Sequence, residues 1–264
     1  MQRLRPSLRA DSSQVTVRGA DPATAALEFE LYTHDSDYLL PLRPVLVGGD
    51  DLTFVCDGRV AFDLAVAALE AFEATEIPLL GHIHACAGIA ICRTHTPFAR
   101  AYDLASNLCA NAKSWLRHKK IEASALDWHL GSVPPGATVG DLRDGYTTDT
   151  QREEPDLTCR PYVLAAEARS EATWSWLRDD VLGTANSGLR GPFWRERRNK
   201  ALALGEVVTG GALAVREVLA AWKAVDDDVP LPSRLRDGFL NGRTPLLDAR
   251  ELLDLYLPLL KEDG

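Results

Sequence analysis

Two apolar runs meet at two glycines and two aspartates in RPVLVGGDDLTFVCDG, residues 43–58. Few folds accommodate that order. Val, Leu and Phe favour strands, and a Gly-Asp pair between such runs marks a tight turn, because glycine supplies the positive φ. The segment therefore predicts an antiparallel hairpin with Gly48, Gly49, Asp50 and Asp51 at its tip. Adjacent carboxylates repel, and no cation stands beside them in sequence. Either the turn is simply solvated or something cationic sits there.

The surroundings divide the chain. LEFELY (residues 27–32) alternates like a strand, RVAFDLAVAALEAFEAT (59–75) has apolar residues at helical spacing, and HACAGIAICRT (84–94) reads as a buried strand. PFARAYDLASNLCANAKSWLRHKK (97–120) starts with Pro97 and ends in cations, as helices do, and SALDWHLG (124–131) is a further strand. Residues 131–160 are rich in Gly, Pro, Asp and Thr, which is loop chemistry. Beyond them EATWSWLRDDVLG, the run from Gly191 to Val225, and TPLLDARELLDLYLPLL read as helices, the last capped by Thr244 with Pro245 at its first position. The expected organisation is a domain over 1–130, a linker over 131–160 and a small helical domain over 161–264. Its fold class is α+β, an antiparallel sheet with helices on one face.

Composition limits the function. Hydrophobic residues make up 46%, enough for a sizeable core, and the net charge of −9 argues against a broad basic surface for nucleic acid while leaving room for a local basic patch. Five cysteines with no CxxC pair suggest reduced thiols and a cytoplasmic protein. The opening MQRLRPSLRADSS has no apolar core of a signal peptide, and no run suits a membrane span. Walker, GxGxxG, GxSxG and HExxH motifs do not occur.

Two carboxylates on a rigid turn suit a hard divalent cation such as magnesium, which keeps company with phosphates. Two such ions can clamp the attacking and leaving oxygens of a phosphoryl transfer. The glycines would let a nucleotide approach the backbone. Other constellations are weaker. His82, His84 and Cys86 alternate and would face one way on a strand, a zinc-like set lacking a fourth ligand, or an exposed strand end beside a buried thiol. Arg195, Arg197, Arg198 and Lys200 could meet phosphates with Trp194 as a stacking surface, although a solvated helix face is the plainer reading. Trp174, Trp176 and Trp222 read as core, and Asp226, Asp227 and Asp228 as a solvated turn.

The stretches LPLRPVLVGGDDLTFVCDGR, HACAGIAICRTHTPFARAYDLASNLCANAK and SALDWHLG, in that order, resemble the GGDD-bearing second palm domain of the CRISPR polymerase family. That family provides the large subunit of type III CRISPR effector complexes and is related to the GGDEF cyclases. The resemblance implies a ferredoxin-like palm that joins ATP into cyclic oligoadenylates for antiviral defence, with magnesium (Mg2+) or manganese (Mn2+) as cofactor. It makes Asp50 and Asp51 catalytic metal ligands, Gly48 and Gly49 the glycines beside the nucleotide, and Lys113 a contact to the triphosphate. An ammonium suits phosphate, and the plain alternative for Lys113 is a solvated helix lysine.

The chain departs from that pattern at its start. A palm begins with a strand carrying another metal-binding Asp, then a helix. No such pair precedes the hairpin, and MQRLRPSLRADSS reads as the tail of the missing helix. Asp35 or Asp37 is a poor substitute, because strands running the same way need a crossover longer than Ser36 to Leu42. The expectation is therefore a palm lacking its first strand: an ATP-binding nucleotidyltransferase or cyclase if that strand is supplied, or a degenerate palm acting as a scaffold. Joining two nucleotides needs two facing sites, so the expected partner is a second copy or another palm-bearing subunit. Contact with nucleic acid is expected only indirectly, and none with a membrane.

Overall fold

The computed structural model describes residues 4–5, 7–11, 14–18, 24, 27–31, 33–34, 37–38, 41–79, 81–148, 156–164, 172–226, 229–232, 234–235 and 237–261. The architecture is α+β, and the chain forms two compact units, Met1–Ala67 with Asp254–Gly264, and Ala68–Leu253.

The first unit begins with short strands: β1 (Leu4–Arg5), β2 (Ser7–Asp11), β3 (Gln14–Arg18) and β4 (Glu28–Leu31). β2, β3 and β4 form an antiparallel meander. The described residues of the opening stretch, 4–5 and 7–11, are thus strand and not the tail of a helix; QVTVR alternates β-branched and polar residues, which suits a pleated surface. β5 (Thr33–His34) and β6 (Asp37–Tyr38) pair antiparallel. Asp37 lies in β6, and Asp35 lies outside the described residues. Next come β7 (Leu42–Gly48) and β8 (Asp51–Cys56), the hairpin expected from sequence. α1 (Ala61–Glu73) follows and carries the chain from the first unit, which ends at Ala67, into the second; its Phe62, Val66 and Leu69 are buried at the spacing that predicted it.

In the second unit, β9 (Glu76–Ile77) pairs with β10 (Gly81–His82). β11 (Cys86–Ile91), α2 (Phe98–Lys119) and β12 (Ala125–Leu130) form a β-α-β crossover, the two strands parallel over six residue pairs. Leu104, Leu108, Ala112 and Leu116 make the buried row of α2. Its cations Arg117 and Lys119 occupy the last turn, where the helix dipole favours them, and Lys120 closes it with φ 56°. Gly88 permits this packing: a Cβ there would stand 1.9 Å from the Ala105 carbonyl oxygen of α2. α3 (Val139–Arg143) is opened by a capping box of Thr138 and Asp141. β13 (Tyr162–Val163) then joins β12 antiparallel.

A π-helical turn, Trp176–Val181, leads to α4 (Pro192–Glu196), α5 (Arg198–Val207) and α6 (Gly211–Asp226). The long helical run expected there is broken at Arg197 (φ −119°, ψ 49°) and at Gly211 (φ 81°). α7 (Leu246–Leu253) starts as predicted: the Thr244 hydroxyl oxygen accepts from the Leu246 amide at 3.2 Å, with Pro245 between them. The chain then returns to the first unit, where β14 (Leu260–Lys261) pairs with β1. Leu257 joins Leu31 and Val60 in an apolar cluster, and Asp63 accepts from the Tyr256 hydroxyl at 2.5 Å and the Leu259 amide at 2.6 Å.

Two expectations change. Among the described residues the strands form several small sheets, antiparallel and mixed, in place of one antiparallel sheet, and β7 and β8 pair only with each other. The described part of 131–160 lies inside the second unit, with Arg143, Asp156, Thr158, Cys159 and Arg160 buried. Arg143, Asp156, Thr158 and Arg160 are interior polar groups, each with a polar partner, while Asp141 and Asp144 of the same stretch are exposed. Among the described residues, no helix is long and apolar enough to cross a membrane.

Candidate functional site

The hairpin tip is a two-residue turn. Gly48 pairs with Asp51, leaving Gly49 and Asp50 to reverse the chain, and Gly49 takes φ 60°. Pro44 cannot donate to a ladder, and it stands at an irregularity of register between Pro44 and Leu46, one of the few strand settings that admit proline. Asp50 and Asp51 are both exposed, and neither carboxylate forms a hydrogen bond or ion pair among the described residues. A Cβ placed on Gly48 or Gly49 would meet nothing within 4 Å. The tip is thus open on its glycine side and anionic on its aspartate side.

The base of the hairpin is tied down. The Asp57 amide donates to the Pro41 carbonyl at 3.1 Å. Arg59 donates from Nε and Nη2 to the two Asp57 carboxylate oxygens, at 2.8 and 2.7 Å, and from Nη1 to the Glu28 carbonyl. The Arg59 hydrogen bond holds the Asp57 carboxyl below its usual range despite partial burial. Burial, with the Asp57 charge beside it, pushes the Cys56 thiol up to about 12, which marks it as a structural thiol.

Two carboxylates with only oxygen donors fit a hard cation that takes its remaining ligands from water and phosphate. Among the described residues no three His, Cys, Asp or Glu side chains converge as a metal cluster, so the protein's own donor set at the turn is the aspartate pair. Lys113 is exposed on α2 of the second unit, while Gly48, Gly49, Asp50 and Asp51 stand together in the first. Lys113 and Arg117 act on Cys86, whose thiol burial nevertheless raises to about 11.

The other sequence signals resolve differently. His82 ends β10 and Cys86 begins β11, with His84 in the connection, so the alternation expected of one strand is lost. Both rings lie against Glu73, His82 Nδ1 at 3.0 Å from its carbonyl and His84 Nδ1 at 3.5 Å from its carboxylate. Trp194 is fully buried and donates from its indole to the Pro230 carbonyl at 2.9 Å, so it is core and no stacking surface. Trp174 and Trp176 are buried as expected, while Trp222 is half-buried, edge-on to Trp194. Asp227 and Asp228 lie outside the described residues.

A charged cluster in the second unit has no counterpart among the sequence expectations. Arg160, its side chain 1% exposed, forms an ion pair with Asp248 at 2.9 Å and donates to the Thr158 hydroxyl at 2.9 Å, to Glu251 at 3.1 Å and to the Trp128 carbonyl at 3.0 Å. Its guanidinium lies 4.9 Å from the Trp128 ring centroid and 5.0 Å from that of Tyr146. Arg143 reaches Asp127 at 2.6 Å, and Asn111 donates to the other Asp127 oxygen at 2.8 Å. Asp248 also accepts from Thr158, the Cys159 amide and Tyr162, at 2.7, 2.7 and 2.8 Å. Burial works against the Arg160 charge, but Asp248 and Glu251 more than restore it, so its pKa rises; burial pushes the Tyr162 hydroxyl well up. Each of these charges has a protein partner, which is the pattern of an internal framework. One signal points to it: Asp248 shares a helical face with Ala249 and Leu252, both buried, and an acid on an apolar face needs a buried partner.

No family model matches the chain, and no curated relative matches it either.

Proposed function

We propose that the hairpin tip binds a nucleoside triphosphate together with a divalent cation, and that the chain is a palm-type nucleotidyltransferase of the CRISPR polymerase kind, acting on ATP in the cytoplasm as part of antiviral defence. The observation that carries this reading is the pair of exposed carboxylates, unpartnered among the described residues, beside two glycines whose Cβ positions are open. The order of hairpin, α1, β11, α2 and β12 supports a ferredoxin-like palm whose first strand comes from elsewhere.

Asp50 and Asp51 would hold magnesium or manganese, which would supply charge neutralisation on the phosphates. Gly48 and Gly49 would let the triphosphate lie along the backbone, and Lys113 would add a point charge if brought to it. The 3′-oxygen of one nucleotide forms a bond to the α-phosphorus of another, the α–β phosphoanhydride bond breaks, and pyrophosphate leaves. Because two nucleotides must face each other, the active form pairs with a second copy or with another palm-bearing subunit.

A second reading, a degenerate palm serving as scaffold, is favoured by one observation: among the described residues the hairpin strands pair only with each other, with no third acid at the turn. Calorimetry with ATP and magnesium on the wild type and on Asp50→Ala with Asp51→Ala, followed by chromatography of the reaction mixture, separates the two. Metal-dependent binding lost in the variant, with pyrophosphate released by the wild type, supports the enzyme. Undiminished affinity in the variant removes the turn as the site. Binding without product supports the scaffold.

A further inference from the structure

The turn and first helical residues after β11, CRTHTPFARAY, carry a feature that the hairpin does not use. Phe98 and Tyr102 stand one turn apart on α2, 52% and 40% exposed, their ring centroids 6.1 Å apart and their planes 33° from each other. Arg93, His95 and Arg100 surround them in sequence, all exposed, and none of the three side chains makes a hydrogen bond or ion pair among the described residues. No acid interrupts the stretch before Asp103. In a chain of net charge −9 this is a local reversal of sign. The geometry is held from below: the Thr96 amide donates to the Arg93 carbonyl at 2.9 Å, closing the turn, and the Gly131 amide donates to the Ile91 carbonyl at 3.0 Å, tying together the carboxyl ends of parallel β11 and β12. Ligands of parallel β-α-β units gather outside the carboxyl ends of their strands.

We infer that this face binds single-stranded nucleic acid. Bases present π-faces that stack on exposed aromatic rings without regard to sequence, and phosphates between them meet Arg93 and His95 in the turn that leads into the helix, whereas Arg100, two residues from each ring, stands on the opposite flank of α2. Two aromatic side chains one helical turn apart offer successive bases successive platforms. A duplex cannot use them, because its bases are already stacked. An acidic protein surface would satisfy the cations but would gain little from two aromatic rings. The inference is independent of the GGDD tip, and Asp50→Ala with Asp51→Ala should leave it untouched.

The test is fluorescence anisotropy with a short fluorescein-labelled oligouridylate at low ionic strength, then across a salt series. Wild type should bind it, and should bind a duplex of equal length more weakly. Phe98→Ala with Tyr102→Ala should weaken binding about tenfold or more, while Phe98→Tyr with Tyr102→Phe should retain it. Arg93→Gln should weaken binding and flatten the log–log salt slope by roughly 0.7, the share of one single-strand phosphate that no longer meets an arginine, while Arg100→Gln on the opposite flank should leave both unchanged. All these side chains are exposed, and circular dichroism checks that the variants fold. Affinity unchanged in Phe98→Ala with Tyr102→Ala or in Arg93→Gln, equal affinity for duplex, or no binding at low salt overturns the inference. So does a self-association that Phe98→Ala with Tyr102→Ala abolishes in a protein that binds no oligonucleotide, which would assign the face to a second copy.

Discussion

Asp50 and Asp51 at the hairpin tip and Asp127 and Asp248 in the second unit are the same chemical group in opposite circumstances. The first two are exposed and partnerless among the described residues; the second two are fully buried, and each is met by a guanidinium and by further donors. In water a carboxylate keeps its hydration at no cost to the fold, so nothing selects a protein partner for it. In the interior it loses that hydration, and only a charge with several hydrogen bonds offsets the loss. The charge at the tip is therefore available to something outside the protein, and the charges of the buried set are already engaged. The glycines repeat the contrast. Gly88 is closed by the Ala105 carbonyl, while Gly48 meets nothing.

The contrast can be broken most forcefully at Asp248. Asp248→Ala strands the buried Arg160 charge and removes the acceptor of Thr158, Cys159 and Tyr162. About 3–5 kcal/mol of destabilisation is expected. At roughly 2–4 °C per kcal/mol for a chain of this size, thermal melting should fall by about 6–20 °C. A melting point within a degree of wild type would mean that the cluster is not the framework described.

Gly88→Ala comes next. Its new methyl would press on the α2 backbone, and overpacking of this kind costs about 1–3 kcal/mol, readable as a lower denaturant midpoint. Gly48→Ala is its control: with open space around it, the change should stay within about 0.5 kcal/mol, while reducing nucleotide affinity if the backbone there is the binding surface.

The acid response of the first unit should come partly from Asp57. Its folded pKa is depressed by Arg59, so the stability it contributes is present above the unfolded value near 3.8 and is lost as pH falls through the lower folded value. Denaturation at a series of pH values should show an acid limb that Asp57→Asn makes shallower, with the slope above about pH 5 unchanged. An identical limb in the variant would show that the ion pair with Arg59 carries no linkage. The smallest effect is at the tip: Asp51→Ala should shift stability by no more than about 0.5 kcal/mol in either direction. A fall of many degrees in melting temperature would make that carboxylate a structural group and would erase the comparison with Asp248.

The hairpin is legible in the sequence alone, because a tight turn between apolar runs depends only on neighbouring residues. The same holds for α1, for α2 with its Leu104, Leu108, Ala112 and Leu116 row, and for the Thr244-Pro245 start of α7. The opening residues read as a helix tail, and the described ones, 4–5 and 7–11, fold as strands, since strands as short as β2 and β3 are defined by the partners they find. HIHAC loses its strand pattern for the related reason that a connection between β10 and β11 interrupts it.

By itself the sequence determined the α+β class, the turn with its two aspartates, and the helices whose apolar residues recur along one face. Only tertiary structure decided that Arg143, Asp156, Thr158 and Arg160 are interior, that Trp194 is core, that Asp248 faces Arg160 from far along the chain, and that Phe98 and Tyr102 stand uncovered. Turn and helix preferences act over a few residues and are written in adjacent letters. Burial of a charge, or exposure of an aromatic ring, depends on which distant segment comes to lie against it, and no local spacing records that.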